Sequence, residues 1–166
     1  MSKLIQLVRN TDSGNWTDFH GPIIVRPSIA NGTNLTPNSH HTLFSFDAPT
    51  EWRAASQRCV IIGHVCARFG GDRRPYHAWA TGGLNIAQMG VCGCAVRATA
   101  TMGAAPELGN ITNCAPIEFM IDVRFSGAAA TTNVAVRIDE VADWTFYRDN
   151  NNQSLLLVVP VDERYA

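Results

Sequence analysis

Apolar and polar positions alternate most cleanly between Ile117 and Arg148. In the first limb Ile117, Phe119, Ile121, Val123 and Phe125 share one face, and Glu118, Met120, Asp122 and Arg124 share the other. A strand sends successive side chains to opposite faces, so this limb is expected to be a half-buried strand. A second limb repeats the period, with Val134, Val136 and Ile138 against Ala135, Arg137 and Asp139. Residues 126–132 between them are small and polar, as a connecting loop is. The pattern predicts a long antiparallel hairpin with one wet face. It is expected at the centre of a sheet, with Phe119, Ile121, Val123, Val134, Val136 and Ile138 packed against the run Val60 to Val65.

The rest of the chain reads as short strands separated by turn chemistry. Residues 4–8 predict a first strand, with 1–10 as an extended arm or edge strand. Residues 10–20 form a polar loop carrying Trp16 and Phe19, and 22–26 a second strand stopped by Pro27. Residues 27–41 are loop, rich in Pro, Asn, Ser, Thr and Gly. Residues 42–47 alternate as a strand, and Pro49-Thr50-Glu51-Trp52 opens one helical turn. The run Arg58 to Arg68 predicts a strand buried on both faces, with Gly63 marking a bulge or a close backbone approach. Residues 70–75 predict a turn, and 76–80 and 91–102 predict strands around the ambiguous 84–89. Residues 103–116 predict a loop, 144–147 a strand, 149–153 a turn and 154–161 a final strand.

About eight to ten short strands, with turns roughly every ten residues, exclude alternating βαβ architectures. The fold class is all-β, a single domain over residues 1–166, built as an antiparallel two-sheet sandwich. An eight-stranded jelly roll accounts best for the strand number and the uneven loops.

Composition changes this picture in one respect. Charged residues make up 16% of the chain, and the net charge is −1. A sparsely charged, Thr/Asn-rich surface suits a protein that buries much of itself against neighbours. The basic residues are twelve Arg and a single Lys, Lys3, with no basic run, so the pull on nucleic acid is weak. No apolar stretch reaches membrane-spanning length or the length of a signal-peptide core. The five cysteines, Cys59, Cys66, Cys92, Cys94 and Cys114, are expected to be free and mostly buried thiols in a reducing compartment.

Candidate chemistry is sparse. Cys92 and Cys94 alternate on a predicted strand and so point the same way, and only a tertiary coincidence with Cys59, Cys66, Cys114 or His64 would complete a ligand set. A structural zinc site needs four ligands, so small buried residues are the expected role, and no metal or other cofactor is expected. No nucleophile elbow, phosphate-cradling glycine loop or carboxylate pair stands out, and no catalytic residue is assigned. Arg68, Arg73 and Arg74 with Tyr76, His77 and Trp79 form the densest basic-aromatic cluster. Forked guanidinium contacts and stacking make it a candidate contact patch, joined by Trp16 and Arg148 as candidate interface residues. Trp16, Trp52 and Trp144 are candidate core or interface anchors, and sugar-stacking platforms in the alternative.

The segment Trp144-Thr-Phe-Tyr-Arg148-Asp149-Asn150-Asn151-Asn152 resembles a strand-turn segment of the jelly-roll coat proteins of small icosahedral plant satellite viruses of the necrosis type. In those proteins an aromatic strand likewise runs into Arg-Asp-Asn-Asn-Asn. The resemblance covers residues 144–152 alone, and the family carries a basic N-terminal arm and a long C-terminal half where this chain has residues 153–166. The resemblance points towards a virion jelly roll, and composition and strand count together with it lead to the expectation of a non-enzymatic structural subunit of a virus or phage: capsid, cement or spike. Such a protein is made in the host cytoplasm and resides in the virion. Its expected partners are copies of itself or another capsid protein, with neither nucleic acid nor membrane as a strong partner. The alternative is a carbohydrate- or receptor-binding β-sandwich that recognises a host-surface glycan.

Overall fold

The computed structural model describes residues 5–9, 16–20 and 114 as backbone, and residues 21–71, 73–91, 93–96, 115–127, 129–148 and 153–161 with their side chains. In chain order the elements are β1 (Ile5–Arg9), β2 (Trp16–His20), β3 (Ile23–Val25), β4 (Thr33–Leu35), β5 (His41–Asp47), α1 (Thr50–Ala54), β6 (Arg58–Arg68) and β7 (Arg73–Thr81). They continue with β8 (Gln88–Met89), β9 (Gly93–Val96), β10 (Cys114–Arg124), β11 (Thr131–Ile138), β12 (Trp144–Tyr147) and β13 (Leu155–Pro160). β1 and β2 pair with each other as a two-stranded ribbon. The other strands form two antiparallel sheets packed face to face.

β6 is the middle of the first sheet. β10 pairs with it along its whole length, from Arg58↔Arg124 to Arg68↔Cys114. Its other edge is shared: β13 pairs with Cys59 to His64, and β12 pairs with Cys66 to Arg68. β3 lies outside β13 and β4 outside β12. The second sheet runs β5–β11–β7, with β8 and β9 sharing the far edge of β7. The pairings are nested. The first strand position, β3 with β4, meets the last, β12 with β13; β5 meets β11, β6 meets β10, and β7 meets β8 and β9.

The inward faces follow the alternation of the sequence. Cys59, Ile61, Val65 and Ala67 of β6, Ile117 to Val123 of β10 at alternate positions, and Val134, Val136 and Ile138 of β11 are all buried in one core. Phe44, Trp144, Phe146, Leu156 and Val158 fill the space between the sheets, where close packing makes each lost methylene felt. In β5 both Leu43 and Phe44 point inward, because a bulge sets Val134 opposite Phe44 but Ala135 opposite Thr42. After Pro49, α1 carries Trp52 onto Phe125 with ring centroids 5.7 Å apart, which closes that end of the core.

Backbone bonds join the sheets at both sides. At one side Asn85 N–H donates to Arg124 O (2.9 Å) and Val91 N–H to Met120 O (2.8 Å). At the other, Ser28 N–H donates to Leu43 O (2.9 Å). Covered edges of this kind remove templates for stray strand pairing.

Several expectations are corrected. Ile117 to Arg148 is not a hairpin: β10 belongs to the first sheet and β11 to the second, so the chain changes sheets between the two strands. Alternation fixes which face of each limb is apolar, and two apolar faces satisfy it equally well opposite each other as side by side. β10 therefore pairs edge to edge with β6 rather than packing on it, and β11, not β10, lies between two full neighbours. β6 is not buried on both faces, since Ile62 is 44% exposed. The loops read over 10–20 and 27–41 contain β2 and β4, and β10 begins at Cys114 inside the loop read over 103–116. Residues 97–113 and 149–152 lie outside the described residues.

Candidate functional site

The outer face of the first sheet has an apolar centre. Ile24 is the register partner of Leu157, Leu157 of Ile62, and Ile62 of Met120. Met120 is bridged in turn to Val91. Partners in register put their side chains on the same face, so these five residues form one row across the sheet. Ile24 is 70% exposed, Ile62 44%, Met120 51% and Val91 68%, and Leu157 is half-buried. Exposed apolar surface scattered singly is ordinary, but a contiguous patch marks a contact site.

Charges border the row along the strands. On one side Asp122 accepts from Arg58 Nε at 3.0 and 3.1 Å, and Arg124 Nη1 donates to Ser56 O at 3.0 Å. The hydrogen bond from Arg58, against a smaller opposing effect of burial, holds the Asp122 carboxyl below its ordinary range. On the other side His64 Nδ1 lies 3.3 Å from Glu118 Oε1, with Glu118 74% exposed. A cleft of about 420 Å³ opens here, lined by Ile62, His64, Tyr76, Val91, Glu118 and Met120 among others. Beneath it a Cβ at Gly63 would collide with the ring of Phe119, its register partner, so the close approach foreseen at Gly63 is to a side chain.

The basic-aromatic cluster does not assemble as one patch. Arg74 Nε donates to Glu140 Oε2 at 2.8 Å, and the Glu140 side chain is 1% exposed. Burial pushes the Glu140 carboxyl up, but the Val141 N–H, Arg74 and the Gly71 N–H outweigh it and hold it below its ordinary value. Tyr76 is buried, and its hydroxyl donates to Glu118 O. Trp79 is half-buried on the outer face of the second sheet, with His40 edge-on at 5.9 Å. There Asp139 accepts from Arg137 Nε (2.6 Å) and faces His77 Nε2 (3.4 Å). Arg68 and Arg73 are exposed at facing ends of β6 and β7. Arg148 is exposed but tied: its Nη1 donates to Pro27 O and its N–H to Asn31 Oδ1, both at 2.7 Å.

The Trp16 side chain and Cys92 lie outside the described residues. Cys94 is exposed, against the expectation of a buried thiol, because β9 turns it away from the core on an edge strand. Cys59 and Cys66 are buried. His64 Nε2 lies 3.7 Å from Cys66 Sγ, but among the described residues no three His, Cys, Asp or Glu side chains are grouped to hold a metal. Trp52 and Trp144 are core residues, so no two described tryptophans share an exposed face. No helix among the described residues is long and apolar enough to cross a membrane.

The row was missed in the sequence because its members come from five segments between positions 24 and 157. The one signal was Met120, an apolar residue on the wet face of an alternating strand. What the face offers is burial of apolar surface inside a charged border. Comparison of the chain with protein-family models, with curated proteins and with solved structures gave no match.

Proposed function

We propose that the chain is a structural subunit of a virus or phage particle, a jelly roll that acts by self-association or by binding a shell. The nested strand pairing carries this reading. A jelly roll is a long antiparallel ribbon of eight strand positions wrapped into two sheets, which requires first to pair with last and so on inward. The pairs β3/β4 with β12/β13, β5 with β11, β6 with β10, and β7 with β8/β9 satisfy that requirement. The exposed apolar row and the low charge content support a role in which surface is buried between subunits. Rigid sheets then hold the contact geometry, and closed symmetry sets the size of the assembly.

Electron microscopy of the natively expressed protein tests the proposal. Regular particles, rings or decorated shells are the expected result. A protein that stays monomeric at high concentration and is absent from any particle overturns it.

A further inference from the structure

We infer that Cys66 is a peroxide-reactive thiol, with His64 as its general base and Glu118 as the residue that positions the imidazole. The inference goes beyond the structural role proposed above and does not depend on it.

Cys59 and Cys66 stand an odd number of positions apart on β6, so they face opposite ways. Cys59 packs in the core between the sheets. Cys66 is 8% exposed, yet it lies on the outer face among polar atoms. His64, two positions earlier, shares that face, and its Nε2 is 3.7 Å from Cys66 Sγ. Glu118 is the register partner of His64 on β10, and its Oε1 lies 3.3 Å from His64 Nδ1. β6 changes neighbour at this point: His64 pairs with Leu155 of β13, and Cys66 with Tyr147 of β12. Ser154 bridges the break, its Oγ accepting from Cys66 N–H (2.9 Å) and donating to Tyr147 O (2.7 Å).

The three groups stand in series, with sulfur and carboxylate at different nitrogens of one ring. That order suits proton transfer, whereas a metal needs ligands that converge. A carboxylate only accepts, so Nδ1 carries the ring proton and Nε2 presents its lone pair to the thiol. Gln153 O, 3.8 Å from Sγ, is a second acceptor that holds the thiol in place. Acyl transfer would need an N–H donor for the oxyanion beside the sulfur, and the Cys66 N–H is already given to Ser154. A peroxide needs no such donor, and it is small enough for a sulfur this little exposed. In the step, Sγ attacks one oxygen of hydrogen peroxide while Nε2 takes the thiol proton. The S–O bond forms, the O–O bond breaks, and the departing hydroxide recovers that proton from Nε2 and leaves as water. Thiol and peroxide become sulfenic acid and water, with sulfur oxidised and peroxide reduced by one electron pair.

Brief treatment of the full, reduced chain with hydrogen peroxide, in the presence of dimedone to trap sulfenic acid, tests this. Peptide mass spectrometry reads the labelling rate at each cysteine. Exposure alone would put Cys94 first, whereas a thiol with its own base puts Cys66 first, and that is the expected order. His64→Gln is expected to slow Cys66 labelling at least ~10-fold and to leave Cys94, the internal control, unchanged. Nitrogen-15 shifts of the His64 ring are expected to show the Nδ1-protonated tautomer in the wild type and in Glu118→Gln, which keeps an acceptor. Glu118→Ala is expected to give mixed tautomers and slower labelling of Cys66. Circular dichroism and urea midpoints establish that each variant is folded, and where one is not, the order of Cys66 and Cys94 in the wild type decides. Cys94 labelled before Cys66, a rate at Cys66 indifferent to His64→Gln, or a loss shared by Cys94 overturns the inference. A tautomer and a rate indifferent to Glu118→Ala overturn the positioning role of Glu118.

Discussion

Arg74 on β7 reaches the carboxylate of Glu140 just beyond β11, at 2.8 Å, and that carboxylate is 1% exposed. The two residues are far apart in sequence, and the pair pins the turn after β6 to the loop entering β12. Glu140 also accepts from its neighbour Val141 N–H at 2.8 Å. Removing the guanidinium leaves a buried charge with only backbone donors. Arg74→Met is therefore expected to destabilise the fold by about 2 kcal/mol, read as a lower urea midpoint at unchanged slope. A variant as stable as the wild type would show that the backbone donors suffice.

Acid should weaken the fold through the same carboxylate and two others. Glu140, Asp122 and Asp139 all have folded pKa values below their ordinary 4.5, 3.8 and 3.8. At Asp139 burial opposes the shift, and Arg137 and His77 outweigh it. A depressed folded pKa means the unfolded chain takes up protons first. The stabilisation is thus full above the ordinary carboxylate range and is lost as pH falls through the folded values. His40 acts in the same direction at higher pH, since burial, then Arg137 and His77, lower it from 6.5. Urea midpoints measured from pH 8 to 3 are expected to decline slightly below about 6.5 and steeply below about 4.5. Glu140→Gln should flatten the lower limb, and an unchanged profile would remove Glu140 from the account.

Gly63 and Phe119 make a size prediction. The ring occupies the space a side chain at Gly63 would need, and Phe119 is itself part of the core. Gly63→Ala is expected to cost about 1–3 kcal/mol by overpacking. Phe119→Leu in the same chain should recover part of that loss, which a double-mutant cycle measures as coupling between the sites. Additive losses would mean the backbone at Gly63, not the ring, resists the methyl group.

The thiols should separate by burial. Cys94 is exposed, whereas burial, with a smaller contribution from the Asp122 charge, pushes the Cys59 thiol up to about 12. Only the thiolate reacts, so brief maleimide treatment of the folded protein at neutral pH is expected to label Cys94 and spare Cys59. Peptide mass spectrometry reads both sites. Labelling of Cys59 before unfolding would show that β6 opens locally.

Alternation alone determined much of this protein. It assigned the inward residues of β10 and β11, because a period of two admits only two faces and one of them is apolar. Turn chemistry marked where β3, β5 and β6 end, and Pro49 with Trp52 marked α1. Partnership was beyond it. Ile117–Phe125 and Val134–Ile138 read as one hairpin, and only the tertiary structure set them in opposite sheets, because pairing depends on which strand edges remain open. The same limit hid the apolar row. The run around Ile62 looked buried on both sides, since apolar content does not tell a covered face from an uncovered one. Register across four strands brought Ile24, Leu157, Ile62 and Met120 into line, and register is decided by long-range pairing that no local pattern contains.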